Sequence, residues 1–240
     1  MASAVNKAEK FLEAAGGRKV LSRCKYERIV FVSDSKGRYL EGEVKNFDLG
    51  GKKLEFHIFP SRRIKDGINE VSSILKSINP DEKTVVLFWF GTCDITKKEG
   101  KFIYQRYNDT KELTDLLKIQ FEELLELCQG HSVDTGIIEI PSIFTKEYNK
   151  HKGHTNIDIF DDKPINEQVK AVNSCIRFHN FKLKYLSPRL HNDFIISRGG
   201  KKKKGGTKYT LDSRILIDGV HPGSTIAKKW LLKILDSLNY

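Results

Sequence analysis

A serine, an aspartate and a histidine stand where they could act together as nucleophile, orienting group and base. Ser35 follows residues 28–33, an apolar run typical of a buried strand, and the turn after such a strand can expose a hydroxyl beside free backbone N–H groups. A serine is a weak nucleophile until a base removes its proton. His221 precedes the last predicted helix and can be that base, while Asp218, three residues earlier, can orient its ring.

Each of the three residues also has an ordinary structural interpretation. Ser35 can be a helix cap, and Asp218 and His221 can be turn residues. Their joint placement favours catalysis, because ligands of open parallel sheets bind outside the carboxyl ends of the strands.

The elements that must position these residues alternate between strand and helix. Strand patterns occupy residues 28–33, 54–59, 84–90, 136–140 and 193–196, and helical patterns occupy residues 66–78, 110–128, 164–183 and the chain from 224. This alternation predicts a mostly parallel sheet with helices on both faces. We expect residues 1–25 to be an N-terminal extension or linker and residues 26–240 to form one domain, with a flexible basic loop at 198–208.

Four short segments together resemble the blocks of the SGNH (GDSL-type) hydrolases. VFVSDSKGRYL is similar to the first block, PSRRI occupies the second, FWFGTCDIT is similar to the third, and DGVHPG is close to the last. Ser33 stands where the first block usually has glycine. The order and spacing of the blocks run from Ser35 to His221, so the resemblance covers most of the chain.

The resemblance implies a flavodoxin-like, three-layer α/β/α sandwich with a central sheet of about five strands. It also implies a serine hydrolase that cleaves a carboxylic ester, an O-acetyl or short acyl group, through an acyl-enzyme, with no metal or organic cofactor. The catalytic residues would be Ser35, Asp218 and His221, and the oxyanion hole would be formed by Ser35, Ser61 and Cys93. Arg62 and Asp94 are the predicted substrate-binding residues.

The chain departs from the family pattern at two oxyanion positions. Cys93 replaces an asparagine whose side chain donates a hydrogen bond, and a thiol is a weak donor. Loss of one oxyanion donor typically lowers the rate by about 10²–10³. Ser61 replaces a glycine that contributes its backbone N–H, which serine also has. Cys93 has no histidine or second ligand at a telling spacing, which argues against its being a nucleophile or a metal ligand.

The charge distribution leaves a second interpretation open. The chain carries a formal net charge of +11, and residues 177–208 contain ten Lys or Arg and one Asp, so +9 of it lies there. A catalytically weakened SGNH module, of the kind that some mobile elements encode, could bind nucleic acid or another polyanion through Lys201, Lys202, Lys203 and Lys204. A solvated loop, or a carbohydrate-binding or scaffold role with a vestigial triad, would fit the same residues.

Composition excludes several classes of protein. With 39% hydrophobic residues the chain is not wholly disordered, and without a long apolar run we expect no membrane span. The first residues lack the apolar stretch of a secretory signal, so we expect an intracellular protein, cytoplasmic or nuclear.

Overall fold

The computed structural model describes residues 4–16, 19–197 and 209–239. Its strands are β1 (Arg28–Ser33), β2 (Lys53–Ile58), β3 (Thr84–Trp89), β4 (Thr96–Glu99), β5 (Phe102–Gln105), β6 (Asp134–Ile137), β7 (Ile195–Ser197) and β8 (Tyr209–Leu211). Its α-helices are α1 (Ala4–Ala14), α2 (Gly37–Glu41), α3 (Ile64–Leu75), α4 (Thr92–Ile95), α5 (Thr110–Gly130), α6 (Thr145–His151), α7 (Asp162–Lys182) and α8 (Ser224–Asp236).

The central sheet contains four described strands in the order β2-β1-β3-β6, all parallel. β1 lies between β2 and β3, with Ile29 paired to Leu54 on one side and to Val85 on the other. A strand in this position is covered on both faces, which explains why β1 and β3 are continuous apolar runs rather than alternating ones.

Successive side chains of the sheet enter two separate hydrophobic cores. Phe31 and Trp89 face the core that contains α1, α2 and α8. Val32 and Phe88, each one residue away, face the core that contains α3, α5 and α7. This alternation follows from the two-residue period of a strand. The fold is therefore the predicted α/β/α sandwich, with a mostly parallel central sheet.

The fifth predicted strand, 193–196, does not join this sheet. Residues Leu190–Phe194 form a 3-10 helix, and the following β7 pairs antiparallel with β8 in a separate ribbon. The side chain of Asp193 accepts hydrogen bonds from Trp230 and Lys233 of α8, and Lys229 lies 2.7 Å from the same carboxylate. These long-range contacts hold Asp193 against α8, and a local apolar pattern cannot reveal them.

The segment predicted as an extension or linker, residues 1–25, contains a helix that packs on the body of the protein. Ala4 and Ala8 of α1 are buried in the same core as α8. The basic loop predicted at 198–208 lies outside the described residues. Within the described ranges, no helix has both the length and the apolar character needed to cross a bilayer.

Close packing between α3 and the sheet generates a stability prediction. A Cβ added at Gly67 would lie 2.8 Å from the Phe90 ring and 2.9 Å from the Phe88 ring, both buried. We expect Gly67→Ala to lower the free energy of unfolding by about 1–2 kcal/mol, because overpacking outweighs the gain in helix propensity. Gly130→Ala, at the end of α5, is the matched control, since nothing lies within 4 Å of its Cβ position. Equal denaturation midpoints for the two variants would contradict the packing.

Candidate active site

A chain of two hydrogen bonds links the three residues of the predicted triad. The Oγ of Ser35 lies 2.8 Å from Nε2 of His221, although the two residues are 186 positions apart. Nδ1 of His221 lies 2.7 Å from Oδ2 of Asp218. The order hydroxyl, imidazole, carboxylate is the arrangement in which an imidazole can take the proton of a serine while the carboxylate holds its orientation.

The carboxylate of Asp218 is stabilised in its charged form. Burial acts to raise its pKa, but hydrogen bonds from the His221 ring, the His221 N–H and the Val220 N–H together lower the pKa of Asp218 to about 2. An acceptor-only carboxylate requires a proton on Nδ1 of His221. Nε2 is then left as the proton acceptor that faces Ser35.

The turn that carries Asp218 and His221 has a fixed conformation. Gly219 has a φ of +88°, and its carbonyl oxygen accepts a hydrogen bond of 2.9 Å from the Phe144 N–H. A Cβ at Gly219 would lie 2.4 Å from the Phe144 oxygen, so only glycine allows this approach. The Tyr39 ring packs at 5.2 Å from the His221 ring and supports it from the side of α2.

The nucleophile candidate stands at the carboxyl end of β1. The sheet ladder continues past the strand, because the Asp34 N–H bonds the Trp89 oxygen and the Phe59 N–H bonds the Ser33 oxygen. Ser35 follows directly and is half-buried at the start of the turn into α2. Ser33, which stands where the first block of the SGNH hydrolases usually has glycine, is buried. A Cβ at residue 37 would overlap the Ser33 Oγ, so the glycine at position 37 leaves space for this hydroxyl.

Sequence reasoning did not identify the buried ion pair beside Ser35. The ammonium of Lys36 forms a salt bridge with Asp34 and donates to the Thr92 hydroxyl at 2.6 Å, and its side chain is 1% exposed. It also lies 5.3 Å from the centre of the Trp89 ring. The sequence feature that indicates this ion pair is the acid and the base that stand directly before and after Ser35. The pair joins the turn after β1 to the start of α4.

A pocket of about 340 Å³ opens over Ser35. The predicted oxyanion residues Ser61 and Cys93 line it together with Ser35 and His221, while Asp218 lies behind His221. The lining is completed by Asp34, Arg38, Tyr39, Arg63, Thr92, Thr96, Lys98, Ile103, Arg106, Tyr148 and Val220. The structure thus brings the predicted catalytic and oxyanion residues to one place.

The two oxyanion substitutions have different structural consequences. Ser61 has a φ of +64°, the left-handed conformation that favours glycine, so this serine has a backbone conformation that a glycine adopts without strain. Burial raises the pKa of the Cys93 thiol to about 11. Cys93 is therefore a neutral thiol near neutral pH, able to donate only a weak hydrogen bond and poorly suited to nucleophilic attack.

Neither predicted substrate-binding residue is part of the pocket lining. Arg62 is exposed, and the adjacent Arg63 lines the pocket instead. Asp94 is 4% exposed, and its Oδ2 accepts a 3.0 Å hydrogen bond from the Ile64 N–H at the first residue of α3. The position of Asp94 is that of a helix-capping carboxylate, which is favourable beside the free N–H groups of a helix start.

The burial of Asp94 gives a pH dependence of stability. Burial raises the pKa of Asp94 from 3.8 to about 6, although the Ile64 N–H and the positive charges of Arg63 and Arg106 oppose the shift. Between these two values the folded protein binds more protons at Asp94 than the unfolded chain does, so the contribution of Asp94 to stability falls as the pH rises.

We expect the free energy of unfolding of the unsubstituted protein to fall by about 3 kcal/mol relative to Asp94→Asn between about pH 3.5 and about pH 7. Denaturant titrations across that range measure it. Asp81→Asn is the control, because it removes an exposed carboxylate and measures how the loss of one surface charge changes the free energy of unfolding. Parallel pH profiles for the unsubstituted protein and Asp94→Asn would contradict the assignment.

Comparison with solved structures identifies the fold. The chain superposes on a candidate acylhydrolase from Bacteroides fragilis with a TM-score of 0.61 and 14% identity, over 100% of this chain and 98% of that one. An acetyl-xylooligosaccharide esterase mutant from Geobacillus gives 0.57 and 11%, over 93% and 97%. A candidate SGNH hydrolase from Slackia heliotrinireducens gives 0.54 and 10%, over 89% and 99%.

Sequence comparison finds less. No protein-family model matches the chain, and no curated protein matches it. At identities of 10–14% the superpositions establish the fold alone, and the chemistry has to be inferred from the residues of the site. The chain has the fold of the SGNH hydrolases, as its four sequence blocks predicted.

Proposed function

We propose that this protein is a serine hydrolase that cleaves carboxylic esters, with Ser35, His221 and Asp218 as its catalytic triad. The observation that carries the proposal is the hydrogen-bonded order of the three side chains at the wall of an open pocket. The names of the structural neighbours, which include an acylhydrolase and an acetyl-xylooligosaccharide esterase, support the same class of reaction.

The first half of the reaction transfers the acyl group to the protein. The Oγ of Ser35 attacks the ester carbonyl carbon while Nε2 of His221 takes the hydroxyl proton. The charged imidazole is stabilised by the Asp218 carboxylate. When the tetrahedral intermediate collapses, His221 returns the proton to the alcohol oxygen, the C–O bond breaks, and the acyl group remains on Ser35.

The second half releases the acid. Water replaces the alcohol in the pocket, and Nε2 of His221 takes one of its protons as the oxygen attacks the acyl carbon. The bond to Ser35 Oγ breaks and His221 gives the proton back to that oxygen. The net change is one ester and one water converted to one acid and one alcohol.

The negative charge of each intermediate needs donors in the pocket. The backbone N–H groups of Ser35 and Ser61 are the proposed donors, and the Cys93 thiol adds a weak one. This composition predicts a working but slow enzyme compared with one that has an amide side chain at position 93.

Removal of the triad gives the test of the proposed function. We expect Ser35→Ala and His221→Ala each to lower kcat for 4-nitrophenyl acetate by at least about 10³-fold, because nucleophile and base act as a unit. Ser73→Ala on α3 and His131→Ala after α5 remove an exposed serine and an exposed histidine as matched controls. Hydrolysis by the unsubstituted protein that neither Ser35→Ala nor His221→Ala reduces would contradict the proposal.

Restoring the missing amide gives a second, opposite prediction. We expect Cys93→Asn to raise kcat by roughly 10–100-fold, a part of what one oxyanion donor contributes. Cys175→Asn on α7 makes the same exchange at a half-buried cysteine that does not line the pocket. A lower kcat in Cys93→Asn, with folding unchanged by circular dichroism, would argue against an oxyanion role for position 93.

A further inference from the structure

The pocket over Ser35 is lined by an excess of positive charge. Arg38, Arg63, Lys98 and Arg106 all line it, and none of them forms an ion pair with a residue that the structure describes. The one acid among the lining residues, Asp34, is already paired with Lys36. These cations come from different elements, so the sequence alone did not show them as a group.

Other carboxylates compensate this charge only partly. Asp94 lies close enough to Arg63 and Arg106 for their charges to act on its pKa, but it is buried and bound to the Ile64 N–H. The Asp218 carboxylate is committed to His221. The cationic groups of the lining therefore remain available to a molecule that enters the pocket.

Arg106 is the most fixed of the four. Its Nε donates to the carbonyl oxygens of Cys93 and Thr96, both at 3.1 Å, and its side chain is half-buried. A guanidinium has five N–H donors, and the other four have no hydrogen-bond partner among the described residues. Its head is thus tethered to the Cys93 backbone, beside the proposed oxyanion position.

We propose that the natural substrate is an ester that carries a carboxylate or phosphate group, which these cations bind while Ser35 attacks the ester. The inference rests on the proposed function and adds the class of substrate. An anionic group in the pocket gains charge-assisted hydrogen bonds from arginine that a neutral ester does not form. The same field would attract anionic substrates into the pocket.

Two matched pairs of probes test the preference and locate the charge. The pair 4-acetoxybenzoate and 4-acetoxybenzamide places the charge on the alcohol side. The pair of the 4-nitrophenyl monoester of adipic acid and 4-nitrophenyl hexanoate places it on the acyl side. We expect the anionic member of at least one pair to have a kcat/KM about tenfold higher, as charge-assisted hydrogen bonds allow, and the ratio to shrink as sodium chloride is added.

Substitution of the cations connects the preference to the pocket. We expect Arg106→Gln and Lys98→Gln each to reduce the anionic-to-neutral ratio of kcat/KM by about threefold to tenfold. Lys97→Gln is the matched control, because Lys97 is the neighbour of Lys98 on β4, is exposed, pairs with Glu99 and does not line the pocket. Loss of the ratio in Lys97→Gln to the same extent would point to a general surface effect and overturn the assignment to the pocket.

Failure of this inference can be told from failure of the proposed function. Equal hydrolysis of both members of both pairs overturns the anionic preference and leaves the hydrolase intact. If no ester is hydrolysed, calorimetric titration of Ser35→Ala with 4-acetoxybenzoate and 4-acetoxybenzamide decides the inference without catalysis. Tighter binding of the benzoate that Arg106→Gln removes supports it, and equal or undetectable binding of the two overturns it.

Discussion

The proposed chemistry depends on one hydrogen bond, between Ser35 and His221, and the rest of the fold holds its two partners together. Its partners are 186 positions apart, so only tertiary structure can hold them at 2.8 Å. One end is fixed by β1, which is bonded to a strand on each side. The other end precedes α8, and α8 packs on the sheet through Trp230, whose ring meets that of Trp89 edge-on at 6.1 Å. Ser35 stands at the carboxyl end of β1, and the loop before α8 brings His221 to that same edge of the sheet.

The charged side chains around that hydrogen bond fall into two groups. The acids are bound by donors within the protein, and the bases of the pocket are not paired with an acid in the described part of the chain. The carboxylate of Asp218 is bound by three donors, and the carboxylate of Asp34 is bound by a buried lysine. Acids near the nucleophile are thereby held by donors within the protein, whereas the arginines and the lysine of the pocket form no ion pair with a residue that the structure describes. This asymmetry makes the pocket cationic, and it connects the mechanism to the kind of substrate that the pocket favours.

Local sequence signals predicted the parts of the molecule that local physics controls. The apolar runs of β1 and β3 and the helical periodicities follow from residues close in sequence, and the structure agrees with them. Apart from the triad, which the resemblance to the SGNH hydrolases suggested, side chains whose partners lie far along the chain were beyond such signals. Asp193 is held by α8, and the side chain of Asp94 is directed to the start of α3. Nor does the sequence distinguish Arg62 from the adjacent Arg63, which is the one that lines the pocket.

The most direct measurement of the central claim is covalent labelling with a fluorophosphonate, followed by intact-mass and peptide mass spectrometry. This reagent reacts with a serine whose proton a neighbouring base can remove, and its reaction does not depend on the natural substrate. A working triad gives one adduct per chain, located on Ser35, that is absent in Ser35→Ala and strongly slowed in His221→Ala. No adduct on the unsubstituted protein, or equal labelling of Ser35→Ala, would contradict the assignment of Ser35 as an activated nucleophile.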